Sequence, residues 1–198
     1  MKISVITPTV GQRNVNLDIL ILSLSAFLRE GDEHIVVWDT PTFPDKLTGG
    51  TYTRHFCYQE EGSIFGNAQR DYAMKLATGD CLVWCDDDDL LTKTAIDILH
   101  ELPAEPDKAH VFTMLYPGAM VVLVAGAENY KPGFMGGPQL VVPNVSTLPH
   151  WMDKNVYSAD WHFMKECATR FQMEFHKEVL VLVRPFEKYL PHTVTSIP

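Results

Sequence analysis

Residues 81–89 have the sequence Cys-Leu-Val-Trp-Cys-Asp-Asp-Asp-Asp, and this segment decides how the fold is interpreted. Its first five residues, 81–85, are all apolar. Such a run is typical of a central strand in a parallel sheet, because that strand is buried on both faces. The four aspartates follow directly, at the point where the strand ends. Ligands of parallel α/β sheets bind beyond the carboxyl ends of the strands, so the segment also predicts a ligand site.

Strand and helix patterns alternate around this segment through the first hundred residues. Short β-branched or alternating runs predict strands, and apolar residues spaced three or four positions apart predict helices. The predicted strands are residues 3–7, 34–38, 52–58 and 81–85, and the predicted helices are residues 17–28, 67–77 and 92–102. This order predicts an α/β fold with a mostly parallel central sheet flanked by helices.

The second half of the chain is less regular than the first. Its predicted strands are residues 109–115, 120–125, 140–142 and 179–183, and its predicted helix is residues 158–170. A stretch rich in Gly, Pro and Asn, residues 126–149, predicts a loop region on the substrate side. The sequence contains no internal repeat, low-complexity segment or linker. We therefore expect a single domain over residues 1–198.

Composition and charge limit the classes of function. Hydrophobic residues make up 46% and charged residues 21% of the 198 residues, which is typical of a globular domain. The net charge of −9 argues against general affinity for nucleic acid or for anionic membranes. No apolar run reaches the roughly 18 residues of a membrane span. A signal-peptide pattern is missing from the first residues, so we expect a cytoplasmic protein.

The aspartates at positions 86–89 predict a metal site. Four adjacent carboxylates repel one another, and a nearby positive charge relieves that repulsion. A hard divalent cation such as Mn²⁺ or Mg²⁺ binds carboxylate oxygens and usually keeps positions open for water and substrate phosphates. A solvated acidic turn is the alternative interpretation. The run ends a buried strand at the edge where ligands bind, and this position favours the metal site.

Other acidic and phosphate-binding motifs fit the sequence less well. A calcium-binding helix-loop-helix needs Gly and Glu at the sixth and twelfth loop positions, where a loop starting at Asp86 has Leu91 and Asp97. A phosphatase of the haloacid dehalogenase type has an Asp-x-Asp-x-Thr motif after its first strand. Here Asp86 and Asp88 lie mid-chain and are followed by Leu90. The chain also lacks a Gly-x-x-x-x-Gly-Lys loop.

Three short segments occur in a fixed order: GNAQRD at 66–71, ATGD at 77–80 and DDDD at 86–89. In these segments the sequence resembles the family 2 glycosyltransferases with the GT-A fold. That family typically has an Arg-Asn pair, then an Ala-x-Gly, then an Asp-x-Asp-Asp (DXD) motif, and here Asp71 replaces the Asn. The segments at 4–9 and 34–39 resemble the family's first two strands, the second of which ends at an Asp that usually contacts the base. The resemblance covers roughly residues 2–100.

The resemblance implies a fold, a donor site and a metal site. It implies a GT-A (Rossmann-like) domain with a nucleotide-sugar-binding half at about 1–100 and an acceptor-side half at about 101–198. The implied donor-binding residues are Pro8, Thr9, Asp39, Asn67, Arg70, Asp86 and Asp87. The implied ligands of Mn²⁺ or Mg²⁺ are Asp86, Asp88 and His192. An ordinary surface histidine is the alternative for His192, and His150, His162 and His176 show no metal-ligand spacing.

The segment SADW at 158–161 resembles the family's Glu-Asp-Trp segment, in which the Asp is the general base. The resemblance implies this role for Asp160, although Ala159 replaces the Glu. The alternative for Asp160 is an acid favoured by a helix N-terminus.

The implied reaction is inverting transfer of a sugar from a UDP- or GDP-sugar to an acceptor hydroxyl, and the resemblance does not identify the acceptor. One alternative function is a nucleotide-sugar-binding protein without transfer activity. The other is a nucleotidyltransferase, whose Gly-rich N-terminal loop is missing here.

Overall fold

The computed structural model of the chain describes residues 1–11, 14–61, 66–117, 121–151 and 158–186. Within these residues the chain forms nine strands and four α-helices. The strands are β1 (Ile3–Thr9), β2 (Glu33–Trp38), β3 (Thr53–Cys57), β4 (Cys81–Trp84), β5 (Leu90–Leu91), β6 (Lys108–Tyr116), β7 (Val121–Leu123), β8 (Leu140–Pro143) and β9 (Gln172–Leu182). The helices are α1 (Asn14–Phe27), α2 (Asn67–Leu76), α3 (Lys93–Glu101) and α4 (Ala159–Arg170).

The nine strands form one mixed sheet. Its order is β3-β2-β1-β4-β8-β6-β9-β5, and β7 also pairs with β6. The pairs β1–β2, β2–β3, β1–β4 and β6–β9 are parallel. The pairs β4–β8, β6–β8, β6–β7 and β5–β9 are antiparallel.

The prediction of a mostly parallel sheet is therefore wrong beyond β4. Parallel neighbours require a crossover of a dozen or more residues. Helices α1 and α2 lie in the connections from β1 to β2 and from β3 to β4, and residues 39–52 connect β2 to β3 without a helix. The connection from β6 to β7 spans only residues 117–120, which is too short for a crossover and gives an antiparallel pair. The mixed α/β architecture itself agrees with the expectation.

Helices cover both faces of the sheet. Along β4, the side chains of Cys81 and Val83 pack with α1 and α3, and those of Leu82 and Trp84 pack with α4. All four positions are buried, as the apolar run predicted. The face covered by α1 and α3 is called the first face here, and the face covered by α4 is called the second face. Burial of each large apolar side chain contributes about 1.5–3 kcal/mol.

Local signals explain where two of the helices begin. The Oγ1 atom of Thr92 accepts a hydrogen bond from the Ala95 N–H at 3.3 Å, so Thr92 caps α3 as predicted. Gly66 precedes α2 with a φ of 73°, in the left-handed region that favours glycine. A Cβ at Gly66 would lie 2.7 Å from the Cβ of Pro8, so this glycine also permits close packing of α2 against β1.

None of the helices in the described ranges combines the length and the apolar character needed to cross a membrane. The thiols of Cys81, Cys85 and Cys167 are free and buried, and that of Cys57 is free and half-buried.

Candidate active site

The parallel pairing brings the predicted donor residues to one edge of the sheet. Thr9 pairs with Trp38 at the end of β1 and β2, and the N–H of Asp39 donates to the Thr9 carbonyl at 2.8 Å. On the other side of β1, the N–H of Cys85 donates to the Ile6 carbonyl at 3.0 Å, directly before the aspartate run. The ends of β1, β2 and β4 therefore meet at this edge, as is usual for ligand sites in parallel sheets.

Three of the four aspartates are held inside the protein. Asp87, Asp88 and Asp89 are 6%, 3% and 3% exposed. The carboxylate of Asp87 accepts a hydrogen bond from Thr9 Oγ1 at 2.6 Å. Oδ2 of Asp88 lies 3.1 Å from Nε of Arg184, and Oδ1 of Asp89 accepts the Arg184 N–H at 3.0 Å. A solvated acidic turn is therefore excluded for these three residues.

The fourth aspartate, Asp86, is paired with Arg70. The Nη2 atom of Arg70 donates to Oδ1 of Asp86 at 2.5 Å, and the Arg70 side chain is 6% exposed while that of Asp86 is 38% exposed. The Arg70 guanidinium also lies 4.8 Å from the ring centre of Trp151. The arginine is thus fixed on both sides, and Asp86 is the aspartate that reaches solvent.

Burial and mutual repulsion both act on the carboxylates at this edge. Burial, together with the charges of Asp86 and Asp88, raises the pKa of Asp89 to about 8, although the hydrogen bond and the charge of Arg184 act to lower it. Burial also raises the pKa of Asp39, partly offset by a hydrogen bond with Gln69. An added cation at this edge would reduce the repulsion among these carboxylates.

Arg184 is a site residue that the sequence did not point to. Its backbone has a φ of 48°, which is unusual for a residue other than glycine and costs on the order of 1 kcal/mol. The antiparallel pairing of β9 with β5, which matches Leu182 to Leu90, carries the chain back to the aspartates. The predicted strand 179–183 was the available signal, because Arg184 follows its end. No feature of the sequence indicated that this strand pairs with Leu90.

The aspartates offer ligands for Mn²⁺ or Mg²⁺, but not equally. Such an ion needs carboxylate oxygens together with water or phosphate oxygens, and the exposed carboxylate of Asp86 fits that requirement. Asp88 is buried, and its Oδ2 is paired with Arg184. The metal role of Asp88 stays a prediction, and the third predicted ligand, His192, lies outside the described residues.

Several buried hydrogen-bond donors in this region have no partner within the described part of the chain. They are Nδ2 of Asn67, Nε1 of Trp84 and Nε1 of Trp151. The ring of Trp84 lies 5.5 Å from that of Trp151, which in turn contacts Arg70. Buried donors are normally satisfied, so these three side chains are exceptions within the described residues.

Asp160 lies in the first turn of α4, on the second face. Its Oδ2 accepts a hydrogen bond from the Gly137 N–H at 3.0 Å. Trp151 connects this region to Arg70, because its ring stacks on Phe163 of α4 with centres 4.4 Å apart. A Cβ at Gly137 would lie 2.9 Å from Trp151, so the loop that holds Asp160 packs directly against the tryptophan.

Known glycosyltransferase structures share this fold. S. aureus TarS, residues 1–349, superposes with a TM-score of 0.67 at 17% identity, covering 92% of this chain and 60% of that fragment. The complex of the same TarS fragment with UDP-GlcNAc gives a TM-score of 0.64 at 17% identity, with 92% and 58% coverage. The mannosyltransferase PcManGT from Pyrobaculum calidifontis, in complex with GDP-Man and Mn²⁺, gives 0.65 at 16% identity, with 91% and 56% coverage.

These comparisons confirm the resemblance to glycosyltransferases at the level of the fold. The chain spans about three fifths of the length of these three structures, and 36% of the longer S. aureus TarS structure. No protein-family model matches the chain, and no curated protein matches it in sequence.

Proposed function

We propose that the chain is an inverting glycosyltransferase that transfers a sugar from a UDP- or GDP-sugar to an acceptor hydroxyl with the help of Mn²⁺ or Mg²⁺. The observation that carries this proposal is the Arg70–Asp86 pair at the ends of β1, β2 and β4. It combines a buried guanidinium with a solvent-reaching carboxylate at the edge where nucleotides bind in such sheets. The shared fold with a mannosyltransferase that binds GDP-Man and Mn²⁺ supports it.

In this proposal the first half of the chain, about residues 1–100, binds the donor. Pro8, Thr9 and Asp39 line the nucleoside end, where the Asp39 carboxylate accepts a hydrogen bond from a base N–H. The side chains of Asn67 and Arg70 donate to the diphosphate or ribose oxygens. Asp87 holds Thr9 in position through their 2.6 Å hydrogen bond.

Departure of the nucleoside diphosphate builds negative charge, and a bound divalent cation would neutralise it. Asp86 would hold that ion, with Asp88 as a further ligand. Arg70 adds a fixed positive charge and keeps the Asp86 carboxylate oriented, because the two side chains are joined at 2.5 Å. A preorganised charge of this kind stabilises the leaving group without reorganisation during the reaction.

The acceptor side of the proposal rests on Asp160, in the half from about residue 101 to 198. As general base, its carboxylate would take the proton of the acceptor hydroxyl while that oxygen attacks the anomeric carbon opposite the leaving diphosphate. The hydrogen bond from the Gly137 N–H holds one carboxylate oxygen and leaves the other for the acceptor. Attack from the side opposite the leaving group inverts the anomeric centre.

The test is release of nucleoside diphosphate from a panel of UDP- and GDP-sugars, with Mn²⁺, with Mg²⁺ and with EDTA. We expect one donor to be hydrolysed slowly even without an acceptor, and EDTA or Asp86→Asn to abolish the release. Asp97→Asn is the matched control, since Asp97 makes an ion pair on the surface of α3. Metal-dependent binding without turnover would indicate a nucleotide-sugar-binding protein, and pyrophosphate release from a nucleoside triphosphate would indicate a nucleotidyltransferase.

A further inference from the structure

Three metal-binding side chains that play no part in the proposed transfer lie together on β6 and β9. They are His110, Glu174 and His176, and their ligand atoms all lie within 4.8 Å of one another. Nδ1 of His110 is 3.0 Å from Nε2 of His176 and 3.6 Å from Oε2 of Glu174. His110 is 4% exposed and the other two residues are half-buried.

These distances match the spacing of ligands around a tetrahedral ion. With bonds of about 2.0–2.1 Å, neighbouring ligands of Zn²⁺ lie about 3.3 Å apart, and the two distances from His110 bracket that value. The ligand atoms of the third pair, Glu174 and His176, lie within 4.8 Å of each other. Two imidazoles and one carboxylate form a typical three-ligand zinc set, which leaves a fourth position for water.

The backbone brings these residues together through an irregularity in the strand pairing. His110 pairs with Glu174 and Val111 with Phe175, but Thr113 then pairs with Val179. The extra residues of β9 form a bulge that contains His176, and bulges characteristically redirect a side chain. The ring of Phe112 stacks on His176 with centres 4.4 Å apart, so the redirected imidazole is held facing His110.

The residues around His110, Glu174 and His176 make the cluster suitable for binding a cation. Lys108 binds Oε1 of Glu174 at 2.9 Å, and Oε2 of the same carboxylate faces His110. The lysine also binds Glu105 at 2.9 Å, so two carboxylates compensate its positive charge. Burial lowers the pKa of both His110 and His176, which keeps the imidazoles neutral and able to bind a metal near pH 7.

The cluster is separate from the proposed donor site. His110 and Phe112 lie on the first face of the sheet, whereas α4 and Asp160 lie on the second. Strand β8 lies between β4 and β6, so two strand spacings, about 10 Å, separate the cluster from β4. His110 and Lys108 also line a cavity of about 440 Å³ between the loop before β4 and the loop after α3.

We propose that His110, Glu174 and His176 bind one divalent transition-metal ion of the zinc type, with water in the fourth position. The ion links β6 to the bulge of β9. This site does not depend on the proposed transferase activity, and its ligands differ from the all-oxygen set at Asp86.

To test the proposal, the full chain is first stripped of metal with a chelator. It is then titrated with Zn²⁺ in the presence of excess Mg²⁺, which occupies sites that offer only oxygen ligands. We expect one Zn²⁺ per chain by calorimetry, and Co²⁺ should give the intense visible absorption of a tetrahedral site. Glu174→Gln and His176→Gln should each weaken binding by more than the roughly 10–100-fold typical of losing an outer-shell partner. His150→Gln and Asp97→Asn are the controls and should bind Zn²⁺ as the parent chain does, because both side chains lie outside the cluster and are exposed, His150 by 81% and Asp97 by 37%.

A second measurement needs no variant of the cluster. The ring nitrogens Nδ1 of His110 and Nε2 of His176 should both shift in nitrogen NMR spectra on addition of one equivalent of Zn²⁺. The proposal is overturned if Zn²⁺ does not saturate at one per chain, if binding survives both ligand substitutions, or if neither ring responds.

Discussion

Replacement of Arg70 by methionine tests the charge arrangement at the candidate active site. Methionine keeps most of the aliphatic stem but removes the guanidinium that binds Asp86 at 2.5 Å and lies 4.8 Å from the Trp151 ring centre. A hydrogen bond to a charged group contributes about 1.5–3 kcal/mol, and a cation–π contact about 0.5–2 kcal/mol. Because Asp86 is 38% exposed, water compensates part of the loss. We therefore expect the free energy of unfolding to fall by about 2–4 kcal/mol.

The same substitution should weaken nucleoside diphosphate binding. If Arg70 contacts the donor phosphates, loss of one charge-assisted hydrogen bond lowers the affinity for UDP or GDP by about 1.5–3 kcal/mol, or roughly 10- to 150-fold. Urea unfolding gives the stability, and calorimetry with Mn²⁺ gives the affinity. The matched control is Arg29→Met, which removes an exposed ion pair with Asp97 and should cost less than about 1 kcal/mol.

Two results would refute this reasoning. Equal losses of stability in the Arg70 and Arg29 variants would mean that the Arg70–Asp86 pair is no stronger than a surface pair. A diphosphate affinity unchanged by Arg70→Met, in a variant that still folds, would remove Arg70 from the donor site.

Four further predictions concern individual groups. Asp88→Ala should abolish the EDTA-sensitive part of UDP or GDP binding in calorimetry. An affinity for UDP or GDP that is changed neither by EDTA nor by the substitution would contradict the metal site. Asp39→Asn turns an acceptor oxygen into a donor and should cost about 1–3 kcal/mol of nucleotide affinity; an unchanged titration would place Asp39 outside the pocket. Asp160→Asn should slow transfer by about 10²–10⁴-fold with normal diphosphate binding; full activity with a lowered melting temperature would instead indicate a helix-terminal role. Burial, with a smaller effect of His55, lowers the pKa of His34 to about 3. Since the unfolded chain takes up that proton near pH 6.5 and the folded chain does not, stability should fall by up to about 1.4 kcal/mol per pH unit as the pH drops below 6.5. His34→Gln should remove this part of the slope in urea unfolding, and an identical slope in both proteins would contradict it.

The features that the sequence predicted are those with a local physical signal. The apolar run of β4 is visible because every residue in it is buried, and the cap of α3 is visible because Thr92 precedes an apolar helical repeat. The position of the aspartate run at the end of a buried strand was predictable for the same reason, because the run directly follows β4. These signals depend on neighbours within a few residues, so they survive without knowledge of the tertiary structure.

The features that the sequence did not predict depend on distant pairing. Strand β5 is only two residues long, too short for any periodic pattern, yet its pairing with β9 brings Arg184 to Asp88. The contact of His110 with His176 joins positions 66 residues apart and relies on a bulge in β9. Neither the bulge nor the order of the sheet has a signature in residue spacing.

The position of β8 has a consequence for the order in which the protein folds. One edge of β4 pairs with β1, and the other pairs with β8, which the ribosome adds about sixty residues later. Until residues 140–143 exist, the growing chain presents an apolar strand edge next to the future aspartate cluster, and such edges invite pairing with other chains. The first hundred residues therefore leave one edge of β4 unpaired. Long-range pairing of this kind slows folding, so that edge stays open to pairing with other chains until β8 has been made.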